Sequence, residues 1–149
     1  MTEYGFFIAG IIQGSIEGRT VHAQEYRRAI KDILQDHIPG ARVYCPFEHH
    51  PESLGYDDEK ARRVFFDHVQ MAAETDCLVT FLPQASMGTA VEMYAAREAG
   101  RPVISISPLS DNWTVKFLSD LILPDMEAFR EFVASGDFIA FIDSFGKSR

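Results

Sequence analysis

The sequence predicts an α/β fold, a parallel sheet whose strands alternate with helices. Two stretches carry that expectation. In residues 76 to 106, DCLVTFLPQASMGTAVEMYAAREAGRPVISI, the apolar run Leu78 to Leu82 has the length of a strand buried on both faces, and Pro83-Gln84-Ala85 ends it. A helix then begins near Gly88, carrying Ala90, Val91, Tyr94 and Ala95 at helical spacing. Gly100 stops it, and Pro102 to Ile106 forms a second buried strand, completing a β-α-β unit. The other stretch, Tyr4 to Gly10 (YGFFIAG), is equally free of polar alternation, as befits a central strand of a parallel sheet.

The remaining elements follow in order. From Thr20 to His37 the residues Ala23, Tyr26, Ile30, Ile33 and Leu34 repeat at three and four, with Arg27, Arg28, Lys31, Asp32 and Gln35 on the other side, predicting a surface helix. Pro39-Gly40 ends it, and Ala41 to Cys45 is a short strand closed by Pro46. Phe47 to Tyr56 reads as a polar, aromatic, histidine-bearing loop. Asp57 to Glu74 is a helix with acidic residues at its start, a buried stripe of Ala61, Val64, Phe65, Val69 and Ala72, and an exposed Asp67 placed to pair with Arg63. After the fourth strand, a turn through Asn112 and Trp113 leads into a short helix, an edge strand at Leu121 to Leu123, and a helix from Met126 to Ser135. The apolar tail Phe138 to Ile142 is expected to cover the sheet or a subunit contact.

Bulk properties narrow the function classes. The chain has 149 residues, the size of one domain, expected to span residues 1–149. Its formal net charge of -8 is spread along the sequence with no basic block, which argues against a nucleic-acid partner. Cys45 and Cys77 fall at expected strands and read as small buried hydrophobes in a reducing compartment, without metal-ligand spacing. The run Tyr4 to Ile12 lacks a basic leader and is too short to span a bilayer, so a cytoplasmic protein without membrane attachment is expected. Adjacent His49 and His50 have no third ligand at a familiar spacing, and no metal or other cofactor is expected.

Ligands of open parallel sheets bind beyond the carboxyl ends of the strands. Two segments fall there. The glycine-rich stretch Gly10 to Arg19 brings backbone amides close to an anion or sugar. The turn Ser86-Met87-Gly88-Thr89 leads to Glu92, whose carboxylate would lie near the positive end of a helix dipole, a placement favouring the ionised form that a nucleophile needs. The bland alternative is a capping box, Thr89-x-x-Glu92, in which the glutamate only satisfies a backbone amide.

Phe7-Ile8-Ala9-Gly10, Asp76-Cys77-Leu78-Val79, Ser86-Met87-Gly88-Thr89-Ala90-Val91-Glu92 and Ala99-Gly100-Arg101-Pro102-Val103, taken in that order, resemble the nucleoside 2-deoxyribosyltransferase family and its relatives that hydrolyse nucleoside 5'-monophosphates. The resemblance covers roughly residues 4 to 115. It implies a flavodoxin-like or Rossmann-like three-layer sandwich with a five-stranded parallel sheet, and a site at a subunit interface. Glu92 matches the glutamate that attacks the anomeric carbon, and Asp67 lies within one position of the aspartate that serves the leaving base. Gly10, Gly14, Ser86 and Gly88 match turns around the sugar and the 5'-phosphate, and Arg19 is the nearest basic residue for that phosphate, the family arginine falling about where Gln13 stands. Glu48 or His49 matches a base-contacting position, and Asn112 a residue donated by a neighbouring subunit.

One departure stands out. Phe7 occupies the position of a tyrosine that orients the glutamate in many transferases, which turns the expectation toward hydrolysis over base transfer. The resulting expectation is cleavage of an N-glycosidic bond in a nucleoside or nucleoside 5'-monophosphate by a homodimer or larger homo-oligomer, with Asn112 or Trp113 near the interface. Two alternatives remain, a non-catalytic nucleotide-sensing module and an NAD glycohydrolase, the latter without a dinucleotide fingerprint in this sequence.

Overall fold

The structure, a computed structural model, describes residues 3–13 and 23–146. Five strands, β1 (Tyr4–Gly10), β2 (Ala41–Tyr44), β3 (Cys77–Phe81), β4 (Val103–Ile106) and β5 (Leu121–Leu123), form one parallel sheet in the order β2-β1-β3-β4-β5. That is the flavodoxin-like order, and its direction of winding reverses between β1 and β3. The helices are α1 (Glu25–His37), α2 (Pro46–His49), α3 (Asp58–Glu74), α4 (Met87–Glu98), α5 (Trp113–Leu118), α6 (Met126–Ala134) and α7 (Asp137–Gly146).

Successive side chains of a strand point to opposite faces, and β1 divides the core accordingly. Phe6 and Ile8 pack with Ile30, Ile33 and Leu34 of α1, with Phe129 and Val133 of α6, and with Phe138 and Ile142 of α7. Phe7 and Ala9 meet Ala72 of α3, Met93 and Ala96 of α4, and Val115 of α5. Helices thus cover both faces, giving the three-layer α/β sandwich expected. The tail joins the core as α7. Cys45 and Cys77 are buried free thiols.

Several local expectations are corrected. Ala23 and Gln24 precede the first helix, which begins at Glu25, and Ala23 is exposed. The expected loop 47–56 contains α2 and a 3-10 turn, Ser53–Gly55, because Pro46 at the first helical position starts a turn at once. Phe65, expected in a buried stripe, is half exposed at the rim of a cavity. Arg63 and Asp67 form no ion pair, so Asp67 stands alone on the outer face of α3.

Candidate functional site

A cavity of about 320 Å³ opens at the carboxyl ends of β1 and β3, where the sheet reverses its winding. Its floor is Ile8, Ala9 and Gly10. Phe65, His68 and Val69 of α3 line it, as do Ser86 and the first turns of α4, ending at Glu92. Arg27 reaches it from α1.

Ser86 sets the position of Glu92. It is the N-cap of α4, its Oγ accepting from the Thr89 amide at 3.3 Å and donating to Thr89 Oγ1 at 2.9 Å. With the cap at Ser86, Thr89 is the third helical residue and Glu92 lies one further turn inside. The capping-box alternative therefore fails: Glu92 is too deep in α4 to reach back to an N-cap amide. Among the described residues nothing hydrogen-bonds its carboxyl. The side chain touches the cavity on one side and is walled by protein on the others. Burial pushes its pKa up to about 8, with the positive charge of Arg27 pulling part of the way back. The ionised form expected from the helix dipole is corrected, because that field fades within the first turn while desolvation does not.

Arg27 was expected on the solvent side of its helix, yet it is 3 % exposed. The cause lies in the sheet. β2 stops pairing at Tyr44, opposite Phe7, so the last three residues of β1 pair only with β3. The carbonyls of Ile8 and Gly10 point to the vacated edge, and the Arg27 guanidinium fills it, donating to Ile8 O at 3.2 Å and Gly10 O at 3.1 Å. Its Nε donates to Gln24 Oε1 at 2.6 Å. A sequence signal existed: position 27 stands three before Ile30 and seven before Leu34, on the apolar stripe itself. Gly10 is required at the same place, since a Cβ there would run into the Tyr26 ring, 2.8 Å from Cζ. Tyr26 stacks on Phe81 and donates its hydroxyl to Ile11 O at 3.2 Å.

His68, another residue not singled out from the sequence, lies on the cavity wall one position beyond Asp67. It shares the helical stripe of Ala61, Val64, Phe65 and Ala72. Its Nε2 and the Tyr44 hydroxyl are 3.0 Å apart, and its ring lies edge-on to Phe7, Tyr44 and His50. Burial, then the neighbouring His50, lowers its pKa to about 4, leaving the imidazole neutral.

The remaining expected site residues divide. Gly10, Gln13, Ser86 and Gly88 line the cavity with Glu92. Gly14 and Arg19 lie outside the described residues. Phe7 is buried beneath the wall, stacked on Tyr44 at 5.5 Å between ring centroids. His49 stacks flat on the other partner ring, Tyr44, at 4.4 Å, and Glu48 is engaged by Lys31 at 2.9 Å; neither reaches the cavity. Asp67 faces solvent. Asn112 caps α5, accepting from the amides of Thr114 and Val115, and borders a neighbouring cavity of about 280 Å³ that shares Ser86 and Met87. Among the described residues, no group of three or more His, Cys, Asp or Glu is placed to hold a metal, and no helix is long and apolar enough to cross a membrane.

An α/β sheet of this order, with a solitary carboxyl in a cavity at its reversal point, has the architecture in which small ligands bind at the topological switch point. Among solved structures, it shares its fold with a 2-deoxyribosyltransferase from the psychrotolerant bacterium Bacillus psychrosaccharolyticus, a biocatalyst for nucleoside synthesis. That match has a TM-score of 0.64 and 19 % identity over 85 % of this chain and 90 % of that one. A conserved protein from Enterococcus faecalis V583 matches at TM-score 0.64 and 18 % identity, over 90 % of this chain and 99 % of that one. No family model and no curated protein matches the chain.

Proposed function

We propose that the chain cleaves the N-glycosidic bond of a nucleoside or nucleoside 5'-monophosphate, with Glu92 as the nucleophile at the anomeric carbon. The single observation that carries this reading is the Glu92 carboxyl, on a half-buried residue that lines a ligand-sized cavity, desolvated by the protein around it and left without a hydrogen bond by the described residues. Buried polar groups are nearly always satisfied, and exceptions mark functional positions. The cavity suits a nucleoside, since small-molecule sites span roughly 300–1,000 Å³. Apolar Leu54, Phe65 and Val69 offer surface to a base or sugar face, and Gln13, Ser86 and Glu92 offer polar contacts. The fold shared with a 2-deoxyribosyltransferase supports the same class of chemistry.

In this reading the Glu92 carboxylate attacks C1' through an oxocarbenium-like transition state, and the base departs. Water or an acceptor base then resolves the glycosyl ester. Phe7 brings no hydroxyl to the site, and the tyrosine nearest in charge to Glu92, Tyr26, has its hydroxyl committed to the Ile11 carbonyl. Hydrolysis is favoured over transfer for that reason. Release of free base from a panel of nucleosides, their 5'-monophosphates and NAD, with and without an acceptor base, tests the reading. Glu92→Ala is expected to lower release by about 10³-fold or more. Release unchanged in that variant refutes it, and undiminished nucleotide binding with no release from the wild type makes the chain a sensing module.

The site is further proposed to be completed by a second copy of the chain. Trp113 (77 % exposed), Met87 (84 %), Phe66, Tyr94 and Phe117 spread an apolar surface over α3, α4 and α5, continuous with the cavity rim at Phe65 and Met87. Light scattering is expected to give at least a dimer, dissociated by Trp113→Asp.

A further inference from the structure

We infer that His68 is the second catalytic residue of this site, the group that hands a proton to the departing base. The inference rests on the glycosidic reading above and replaces Asp67 in that role.

Three observations support it. His68 lines the same cavity as Glu92, whereas Asp67, one residue earlier on the same helix, faces solvent. Its ring is fixed: Nε2 meets the Tyr44 hydroxyl at 3.0 Å, and the edges of Phe7 and His50 close on it at 6.0 and 5.3 Å. Nδ1 makes no hydrogen bond to the described residues, so the imidazole keeps one nitrogen for a ligand.

The proton count closes. In the empty cavity burial keeps Glu92 protonated and His68 neutral, so the pair holds one transferable proton. Reaction needs that proton on His68 and a charge on Glu92. The carboxylate oxygen then forms the C1'–O bond while the C1'–N bond breaks, its electron pair passing to the base nitrogen. His68 gives the proton to the base, which leaves neutral. Water attacks C1', its hydroxyl bonding there as the C1'–O bond to Glu92 breaks and its electron pair returns to the carboxylate, while the water's other proton goes to His68, which leaves the pair with the one proton it started with. Catalysis by a positioned acid is worth about 10²–10⁴-fold. The groups that set the charge of this imidazole are His50 and His49 from α2, Arg27 from α1, Tyr44 from β2 and its own neighbour Asp67. Of these, Asp67 alone stabilises the protonated form, from outside the cavity.

The test compares wild type, His68→Ala, His68→Asp and Glu92→Ala on a series of nucleosides and 5'-monophosphates whose bases differ in the pKa of the departing nitrogen. For the wild type, kcat/KM should depend weakly on that pKa. In His68→Ala the dependence should steepen, with losses of about 10²–10⁴-fold for the poorest leaving bases and little loss for the best. His68→Asp, which restores an acid, should recover part of the loss for the poorest bases. A uniform loss across the series, with the slope unchanged, would show that His68 only shapes the cavity and would overturn the inference. Glu92→Ala separates the two claims: if it fails to reduce release, the glycosidic reading falls first.

Discussion

The two ends of the same strands treat their acids in opposite ways. At the amino end, Asp76 Oδ2 accepts from the Gly5 amide at 2.7 Å, and Asp120 Oδ2 accepts from the Val103 amide at 2.8 Å. Thr75 completes the closure by donating to Gly5 O at 2.9 Å. Each acid there ties a strand to the segment beside it. At the carboxyl end, Glu92 has no such partner among the described residues. Cavity size does not distinguish the ends, because a cavity of about 460 Å³ flanks Asp76, larger than the one at Glu92. What distinguishes them is satisfaction: the acids at one end complete the fold, and the acid at the other has no hydrogen-bond partner among the described residues, which is what the proposed function requires of it.

Arg27 sharpens this contrast, since its buried guanidinium holds two carbonyls of β1 at the carboxyl end. The largest expected effect on stability is therefore that of Arg27→Met, which strands the Ile8 and Gly10 carbonyls at about 1–3 kcal/mol each, less the desolvation of a buried cation that is removed with it. The melting temperature should fall by about 2–4 °C per kcal/mol for a chain of this size. Because Arg27 pulls the Glu92 pKa down, the variant should also move the pH profile of base release upward. Asp76→Ala removes a partner of similar quality at the amino end. It should cost about 1–3 kcal/mol, measured by denaturant unfolding, and leave base release unchanged. A comparable activity loss in both variants would break the division between the ends.

The same division explains what was legible in the sequence. The strands and helices follow from the apolar runs and helical periods, which depend on burial alone, whereas the flavodoxin-like sheet was expected only from the family resemblance. Glu92 was legible because the Ser86 to Glu92 turn carries its own local signature. Its protonation was not, since that depends on how much protein surrounds it in three dimensions. Arg27 and His68 escaped for a related reason. Each sits on the apolar stripe of its helix, but a polar residue there was assigned to the solvent side by type. Only the early end of β2 at Tyr44 shows that Arg27 replaces a missing strand, and that is a fact of pairing, not of composition. Asp67 faces solvent while its neighbour His68 lines the cavity, because one residue along a helix turns a side chain by about 100°.

The smallest effect expected is also the most specific to Glu92, the pH dependence of stability. A carboxyl with an ordinary value of 4.5 that is raised to about 8 in the folded chain binds a proton in the native state and none in the unfolded state between those limits. Stability therefore falls as pH rises from 4.5 to about 8, and is flat with respect to this group on either side. Glu92→Gln keeps the shape and removes the titration. The variant should match the wild type near pH 4.5, gain on it steadily through pH 6 and 7, and hold a constant advantage above pH 8, read as a growing difference in melting temperature. Parallel curves for Glu92→Gln and the wild type would mean that the carboxyl finds a partner in solution, and the two ends of the sheet would then no longer differ in kind.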